Sequence, residues 1–371
     1  MRKGIRRIAG ALAAILIVTI AGFAIAMSYT KDCPPAPTVT PGAATMKAIV
    51  RRCYGPPDVL ALENVAKPVP ADNQLLVRVH AASINPADWH EVRGEPYFAR
   101  LGMGIGAPED LRVGTDFAGT VEAVGKNVTQ WKPGDEIMGG GPGTLAEYIV
   151  VKEEGSRVRK PHNLGFEVAA GVYIAGLTAF QALRDRGAIK PGDKVLINGS
   201  SGGVGTFAVQ IAKALGAEVT GVCSTRNVEL VRALGADHVI DYTKEDFTGR
   251  SERYDVVMDN VATRGLLEMR RVLKPGGKHI IIGGGGPETN PWIGAVWAPL
   301  KGMVVSWFVD EDMRFFLSHA SSEDLAALAG LLEVGKIKTV IDRRYPLAEA
   351  AEAMRYLETG RARGKVVVTI D

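Results

Sequence analysis

The chain has 371 residues, of which 46% are hydrophobic and 44 are glycine. It is therefore long and apolar enough to bury a large core, and two globular lobes are expected. The formal net charge is only +3 and is spread along the sequence, which argues against nucleic acid as the main partner. Three widely separated cysteines exclude the four closely spaced thiolates of a structural zinc site.

The first 45 residues differ in composition from the rest of the chain. Residues 1–7 include four basic side chains, and residues 8–27 contain no charged residue. Twenty such residues suffice to cross a hydrocarbon core of about 30 Å at about 1.5 Å per residue. The pattern predicts a single membrane anchor within residues 1–32, with the side of the membrane left open. A signal peptide cleaved after Ala24-Ile25-Ala26 is the alternative. Residues 33–45, rich in Pro, Ala and Thr, are predicted to be a linker.

Short alternating strands separated by turns begin after Met46. Residues 47–51 and 75–79 have the two-residue period of strands, and Lys132-Pro133-Gly134-Asp135 is typical of a turn before another strand. These patterns predict an all-β lobe that precedes an α/β domain.

Residues 195–216 carry the clearest motif of the chain. A short apolar strand is followed by a glycine turn, and then by apolar residues at the three- and four-residue spacing of a helix. A helix N-terminus presents free N–H groups to a pyrophosphate, and this order of elements is that of a dinucleotide-binding site. Ser200 stands where the first glycine is usual. The predicted pyrophosphate-binding residues are Ser201, Gly202, Gly203, Val204 and Gly205.

The residues after the next predicted strand indicate which dinucleotide is bound. An NAD enzyme ends this strand with a carboxylate that accepts the ribose hydroxyls, but the sequence here is Cys223-Ser224-Thr225-Arg226. Ser224 and Arg226 favour a 2′-phosphate, which a carboxylate would repel. The prediction is NADP(H). The alternative is that Ser224 caps a surface helix and that Arg226 is an exposed side chain.

Several motifs resemble, in the same order, those of the medium-chain dehydrogenase/reductase superfamily. They are Asn85-Pro86-x-Asp88, Gly114-Thr115-Asp116-x-Ala118-Gly119, Lys132-Pro133-Gly134-Asp135, Ala175-Gly176-Leu177-Thr178-Ala179, the Ser-Gly-Gly-Val-Gly turn and Ala362-Arg363-Gly364-Lys365. Within the superfamily, residues 46–371 are most similar to the zinc-free quinone oxidoreductase branch. The resemblance implies a GroES-like lobe over residues 46–170, an inserted Rossmann NADP-binding domain over 171–310 and a return to the first lobe over 311–371. It also implies a possible homodimer.

The same resemblance implies roles for single residues. Asn85 and Tyr97 are expected in the substrate pocket, and Thr178 near the nicotinamide. The implied cofactor contacts are Tyr242 on the adenosine side and Asn260, Gly283, Ala362 and Arg363 near the pyrophosphate and nicotinamide. Structural alternatives stay open: Asn85 can hold its own turn before Pro86, Tyr97 can be a loop aromatic instead of a proton donor, and Tyr242 can pack in the core.

Zinc-dependent relatives carry ligands at two positions that are changed here. Asn85 stands at the early ligand position, and Thr115-Asp116-Phe117 replaces Gly-His-Glu. No catalytic metal is predicted, so an electron-poor acceptor suits this chain better than an alcohol. The expected activity is NADPH-dependent hydride transfer to a quinone or an α,β-unsaturated carbonyl. The alternatives are a metal-free alcohol or aldehyde dehydrogenase and a membrane-tethered NADPH sensor without turnover.

Overall fold

The computed structural model describes residues 2–37, 42, 44–283, 286, 289–292, 302 and 309–370. The elements up to the nucleotide-binding turn are helix α1 (Arg2–Ser28), strands β1 (Thr45–Arg51), β2 (Leu60–Ala66) and β3 (Gln74–Ile84), helices α2 (Pro86–Arg93) and α3 (Arg100–Met103), strands β4 (Asp116–Val124), β5 (Glu136–Gly140), β6 (Tyr148–Lys152) and β7 (Arg157–Arg159), helices α4 (Phe166–Ala170) and α5 (Tyr173–Gln181), and strand β8 (Lys194–Asn198).

The elements that follow the turn complete both lobes. They are α6 (Gly203–Ala214), β9 (Glu218–Cys223), α7 (Val228–Ala233), β10 (His238–Asp241), β11 (Tyr254–Asp259), α8 (Leu266–Arg270), β12 (Leu273–Ile281), β13 (Asp312–Phe315), α9 (Ser322–Glu333), β14 (Ile341–Pro346), α10 (Ala350–Glu358) and β15 (Lys365–Thr369).

The first lobe is built on a seven-stranded, mainly antiparallel sheet. Its order is β14-β15-β3-β4-β5-β7, with β6 also paired to β3, and β1 and β2 form a separate antiparallel pair. Alternate residues of β3, such as Leu75, Val77 and Val79, are fully buried, as the two-residue period requires. Strand β15 comes from the far end of the sequence and pairs antiparallel with β3. The sheet of the first lobe is therefore completed only by residues that follow the second lobe in the sequence.

The second lobe is a six-stranded parallel sheet in the order β10-β9-β8-β11-β12-β13. The chain runs outward in both directions from β8, so the carboxyl end of β8 lies at the switch point where doubly wound sheets bind ligands. Phe207, Ala208 and Ile211 of α6 are buried against this sheet. The predicted fold class, a β lobe with an inserted doubly wound α/β domain, is confirmed.

The predicted membrane anchor is wrong. In the part of the chain that the structure describes, no helix combines the length and the apolarity that crossing a bilayer requires. Helix α1 begins at Arg2, so the basic residues Arg2, Lys3, Arg6 and Arg7 belong to the same helix as the apolar run. The predicted membrane contact of residues 8–27 is therefore not supported either.

The segment that follows α1 is attached to the first lobe. Met27 is buried, and its carbonyl oxygen accepts a hydrogen bond of 3.0 Å from the guanidinium of Arg100. The backbone N–H of Lys31 donates to the carbonyl of Gly106 at 2.8 Å. Cys33 forms a disulfide with Cys53, with 4.9 Å between their Cα atoms. Of the predicted linker 33–45, residues 38–41 and 43 lie outside the described residues.

Candidate active site

The glycine turn after β8 brings α6 close to the sheet. A Cβ on Gly205 would collide with the carbonyl oxygen of Gly199 and lie 2.7 Å from the Cα of Ser200, so only glycine fits there. Ser200 is buried, and its hydroxyl donates to the carbonyl of Val222 at 3.0 Å. This bond explains why serine is accepted where the motif usually has glycine. At Gly202, in contrast, the nearest atom to an added Cβ would be 3.6 Å away, so this face of the turn is open.

Two asparagines beside the turn have an unsatisfied side-chain oxygen. The amide of Asn227 donates to the hydroxyl of Ser201 at 2.9 Å, and that of Asn260 donates to the carbonyl of Asn198 at 2.9 Å. The Oδ1 atom of each is buried without a partner in the protein. A hydroxyl or amide of a bound dinucleotide can supply the missing donor, so these residues fit the cofactor that the sequence predicts.

The carboxyl end of β9 carries the residues that the sequence predicts to select the nucleotide. Ser224 is half-buried and accepts from the Asn227 amide at 3.3 Å, while Arg226 is exposed and donates to the carbonyl of Arg361 at 2.5 Å. A carboxylate does occur nearby, at the end of β10. The hydroxyl of Thr225 donates to this Asp241 at 2.6 Å, and hydrogen bonds from Thr225 and Thr243 lower the pKa of Asp241 to about 2.

The other predicted cofactor residues lie on three separate segments. Tyr242 follows β10 with its ring exposed, and its N–H donates to the carbonyl of Cys223 at 3.1 Å, so core packing does not explain it. Gly283 follows β12. Ala362 is half-buried against the core of the first lobe, and the N–H of the exposed Arg363 donates to Asp342 at 2.9 Å.

A buried lysine links the two lobes. The N–H of Gly364 donates to the carbonyl of Ser201 in the glycine turn at 2.9 Å. The next residue, Lys365, points into the first lobe, where its ammonium donates to Oδ1 of Asn85 and lies 3.4 Å from the carboxylate of Asp116. These three side chains are at most 3% exposed.

The lysine fixes the orientation of the Asn85 amide. Because Oδ1 of Asn85 accepts from Lys365, the NH₂ group is oriented as the donor, and it reaches the carbonyl of Ser83 at only 3.5 Å. Asp116 is held by the hydroxyl of Ser83 at 2.9 Å and by the backbone N–H of Ile174 at 3.2 Å. Asn85 therefore does more than hold its own turn: a cation and a buried carboxylate position it.

A second buried carboxylate adjoins this cluster. Asp88 accepts from the backbone N–H of Asn85 at 2.7 Å and from the hydroxyl of Thr115 at 3.1 Å. Burial, reinforced by the charge of Asp116, raises the pKa of Asp88 to about 7. Thr115 is half-buried and lines a cavity of about 510 Å³ together with Arg51, Glu91, Gly140 and Tyr173.

Tyr97, the other predicted substrate residue, and Thr178, predicted near the nicotinamide, make other contacts. Tyr97 packs edge-on against Trp292 with 5.2 Å between ring centroids, and the guanidinium of Arg100 lies 4.4 Å from its ring. Thr178, on α5, shares a hydrogen bond of 3.0 Å with the hydroxyl of Ser318. The hydrogen bonds and ring contacts of Asn85, Tyr97 and Thr178 do not join them directly.

Lys365, Asp116 and Asp88 are the functional candidates that sequence reasoning missed. All three stand within the motifs that carry the family resemblance, but the motifs alone assign them no role. A lysine followed by the apolar run of a buried strand was the available signal, because a lysine is almost never fully buried without a partner.

Two family models match the chain. The one described as "Alcohol dehydrogenase GroES-like domain" covers residues 71–162, and the one described as "Zinc-binding dehydrogenase" covers residues 234–368.

The donor set does not fit the zinc that the second description names. Within the described ranges, no three His, Cys, Asp or Glu side chains are grouped so that they could hold a metal ion. At the two positions where the family resemblance implies zinc ligands, Asn85 and Asp116 already contact the ammonium of Lys365.

Proteins of known activity are similar over nearly the whole chain. The 2-methylene-furan-3-one reductase of Solanum lycopersicum is 36% identical over 87% of this chain and 79% of its own length. The chloroplastic NADPH-dependent alkenal/one oxidoreductase of Arabidopsis thaliana is 36% identical with the same two coverages. The quinone oxidoreductase structure from Coxiella burnetii superposes with a TM-score of 0.77 at 32% identity, over 88% of this chain and 100% of that one.

The order of the two lobes, the glycine turn at the switch point and these similarities agree with one another. The chain belongs to the medium-chain dehydrogenase/reductase superfamily, among its quinone and enone oxidoreductase-like members.

Proposed function

We propose that this protein is an NADPH-dependent oxidoreductase that reduces a quinone or an α,β-unsaturated carbonyl. The observation that carries the proposal is the link at Gly364-Lys365. One residue bonds to the cofactor turn at Ser201, and the next holds Asn85 in the first lobe. These two contacts support the proposal, because hydride transfer requires a fixed relation between the cofactor and the acceptor. Bound NADPH supplies the hydride, which goes to the electron-poor carbon or oxygen of the acceptor.

The chain's own residues are proposed to bind the cofactor as follows. The turn from Ser201 to Gly205 holds the pyrophosphate, and Ser224 and Arg226 hold the 2′-phosphate. Tyr242 lies on the adenosine side. Asn260, Gly283, Ala362 and Arg363 complete the nicotinamide half. The unsatisfied Oδ1 of Asn260 supports its part in this assignment.

The acceptor is proposed to lie between Asn85, Tyr97 and Thr178. The Asn85 amide is fixed as a donor and can hydrogen-bond to one acceptor oxygen. An acceptor that is already electron-poor needs no stronger polarisation than such a bond. The relatives named above reduce a furanone, alkenals or enones, and a quinone oxidoreductase shares the fold, which supports this substrate class.

NADPH consumption by the full chain tests the proposal. The panel contains quinones, alkenals, cyclic enones and simple alcohols with NADP⁺, and NADH replaces NADPH in a parallel series. We expect turnover with quinones or enones and a preference for NADPH. Oxidation of alcohols alone would support the dehydrogenase alternative, and tight NADPH binding without turnover would support a sensor. A homodimer stays a prediction, which light scattering of the same preparation checks.

A further inference from the structure

We propose that Thr115 and Asp88 deliver the proton that completes the reduction. The hydroxyl of Thr115 protonates the substrate, and Asp88 replaces that proton through the hydrogen bond between the two side chains. This inference rests on the proposed function, because it concerns the second half of the same reaction.

The hydrogen-bonded pair extends from the cavity, which Thr115 lines, into the core, where Asp88 is buried. Thr115 lies close to Asn85, the residue proposed to bind the acceptor oxygen, because Asp88 accepts hydrogen bonds from both. Thr115 also lines the cavity of about 510 Å³, whereas Asp88 is only 1% exposed and does not line it. Their oxygen atoms are 3.1 Å apart. A threonine hydroxyl can both donate and accept, so Thr115 can release its proton to a substrate while it accepts another from a protonated Asp88.

The surroundings of Asp88 favour a carboxyl group that still carries a proton near neutral pH. Burial and the negative charges of Asp116 on β4 and Glu91 on α2 raise its pKa, while hydrogen bonds from the Asn85 N–H and from Thr115 lower it. Two cations limit the effect of these carboxylates, since Lys365 on β15 lies against Asp116 and Arg51 on β1 lies 3.6 Å from Glu91. The resulting pKa of about 7 suits a group that gives and regains a proton in each cycle.

Other side chains near the site are less suited to this step. The Lys365 ammonium is already shared between Asn85 and Asp116. Burial lowers the pKa of His90, and its Nδ1 is occupied by the carbonyl of Glu95 at 3.0 Å. The ring of Tyr97 packs between the guanidinium of Arg100 and Trp292.

The proton balance of the step is complete. Hydride addition at the β-carbon of an enone leaves the electron pair of the broken double bond on the α-carbon. That carbon forms a C–H bond with the proton of the Thr115 hydroxyl, and Thr115 takes the proton of Asp88. The carboxylate of Asp88 regains a proton from water once the product has left. In a quinone, the oxygen that does not gain the hydride takes the proton in the same way.

Three variants of the full chain test the pair. T115V removes the hydroxyl at nearly constant volume, T115S keeps it as the matched control, and D88N keeps an acceptor for the Asn85 N–H. The wild type should lose kcat above about pH 7, where Asp88 is deprotonated. T115V and D88N should lose about 100-fold or more in kcat and show no such pH limb, whereas T115S keeps both. Unchanged kcat and pH profile in T115V would overturn the proposal.

The stereochemistry of the product separates proton delivery from a structural role. With an α-substituted enone in D₂O, the wild type and T115S should place deuterium on one face of the α-carbon. T115V should give both epimers, because solvent then protonates the enolate from either side. A single epimer from T115V contradicts the assignment.

A measurement without turnover keeps this inference distinct from the proposed function. Infrared difference spectra of the cofactor-free protein should show a protonated carboxyl band that titrates near pH 7 and is missing in D88N. If no acceptor is reduced, the proposed function fails. The infrared titration then still decides the protonation of Asp88, and absence of the band at pH 6 overturns the pair.

Discussion

The glycine turn of residues 199–205 and the lysine cluster of Asn85, Asp116 and Lys365 adjoin each other but are built differently. The turn is local and works through its backbone: the collisions of a Cβ at Gly205 are with Gly199 and Ser200. The cluster is made of side chains, and Asn85 and Lys365 are 280 residues apart in the sequence. A local backbone site can be recognised as a motif. A side-chain site assembled from distant strands of the first-lobe sheet depends on the whole fold, so the turn and the cluster should respond differently to substitution.

Among the substitutions that compare these two regions, the largest effect is expected from K365M. The change leaves Asp116 buried without its cation, which costs about 3–5 kcal/mol of unfolding free energy, and it releases the Asn85 amide. We expect a loss of activity of about 100-fold, measured as kcat/KM, alongside lower stability in urea.

The double variant K365M/D116N separates the two consequences. Removing both charges should restore most of the unfolding free energy, because no unpaired charge stays buried. Activity should stay low, because Asn85 still lacks its partner. Full recovery of activity would mean that the lysine serves stability alone.

Two alanine substitutions test the glycine turn of residues 199–205. G205A forces α6 away from β8 and should cost about 1–3 kcal/mol of stability together with NADPH binding. G202A meets no atom closer than 3.6 Å, so its fold should stay intact while the methyl group blocks the approach of the pyrophosphate. Fluorescence titration with NADPH should show at least a tenfold weaker Kd for both, and thermal melting a loss for G205A alone. Wild-type affinity in G202A would place the pyrophosphate elsewhere.

Cofactor choice should depend on Arg226. R226A removes a guanidinium that can pair with the 2′-phosphate, and a charged hydrogen bond of this kind contributes about 1.5–3 kcal/mol. We expect the Kd for NADPH to rise about tenfold or more and the Kd for NADH to stay unchanged. R232A is the matched control, because Arg232 is an exposed arginine on α7 that pairs with Glu229. Equal losses for both cofactors would contradict the assignment.

The smallest effect is expected from the N-terminal attachment. Cys33 and Cys53 hold the segment whose carbonyl groups, at Met27 and Tyr29, bind the Arg100 guanidinium. That guanidinium contacts the ring of Tyr97, so C33S/C53S should raise KM for the acceptor a few-fold and leave NADPH affinity unchanged. Thiol reductant should reproduce the shift in the wild type and do nothing further to the double variant. A change in NADPH affinity would show that the attachment also reaches the cofactor side.

The sequence was sufficient for features that depend on near neighbours. The strand, glycine turn and helix over residues 195–216, the alternation of the β lobe and the missing carboxylate after β9 were all readable from local patterns. These patterns predicted a β lobe before an α/β domain, and the family resemblance implied that the second domain is inserted into the first.

The sequence was not sufficient for features that depend on contacts between residues far apart in the chain. The burial of Lys365, the raised pKa of Asp88 and the disulfide between Cys33 and Cys53 depend on which strands and loops become neighbours in space. The wrong membrane prediction has a similar cause. The composition of residues 1–27 suggested a membrane anchor, but composition does not show that the end of this helix contacts the first lobe.

The pairing of β15 with β3 also bears on how the chain is made. Residues 81–84 of β3 pair with residues 366–369 of β15. The whole parallel-sheet domain is synthesised after the first of these segments and before the second. At about 5–20 residues per second, the ribosome needs on the order of half a minute for this stretch. During that time residues 81–84 of the first lobe present an unpaired sheet edge, the kind of surface that promotes aggregation. Protection of this edge during translation would therefore favour the yield of folded protein.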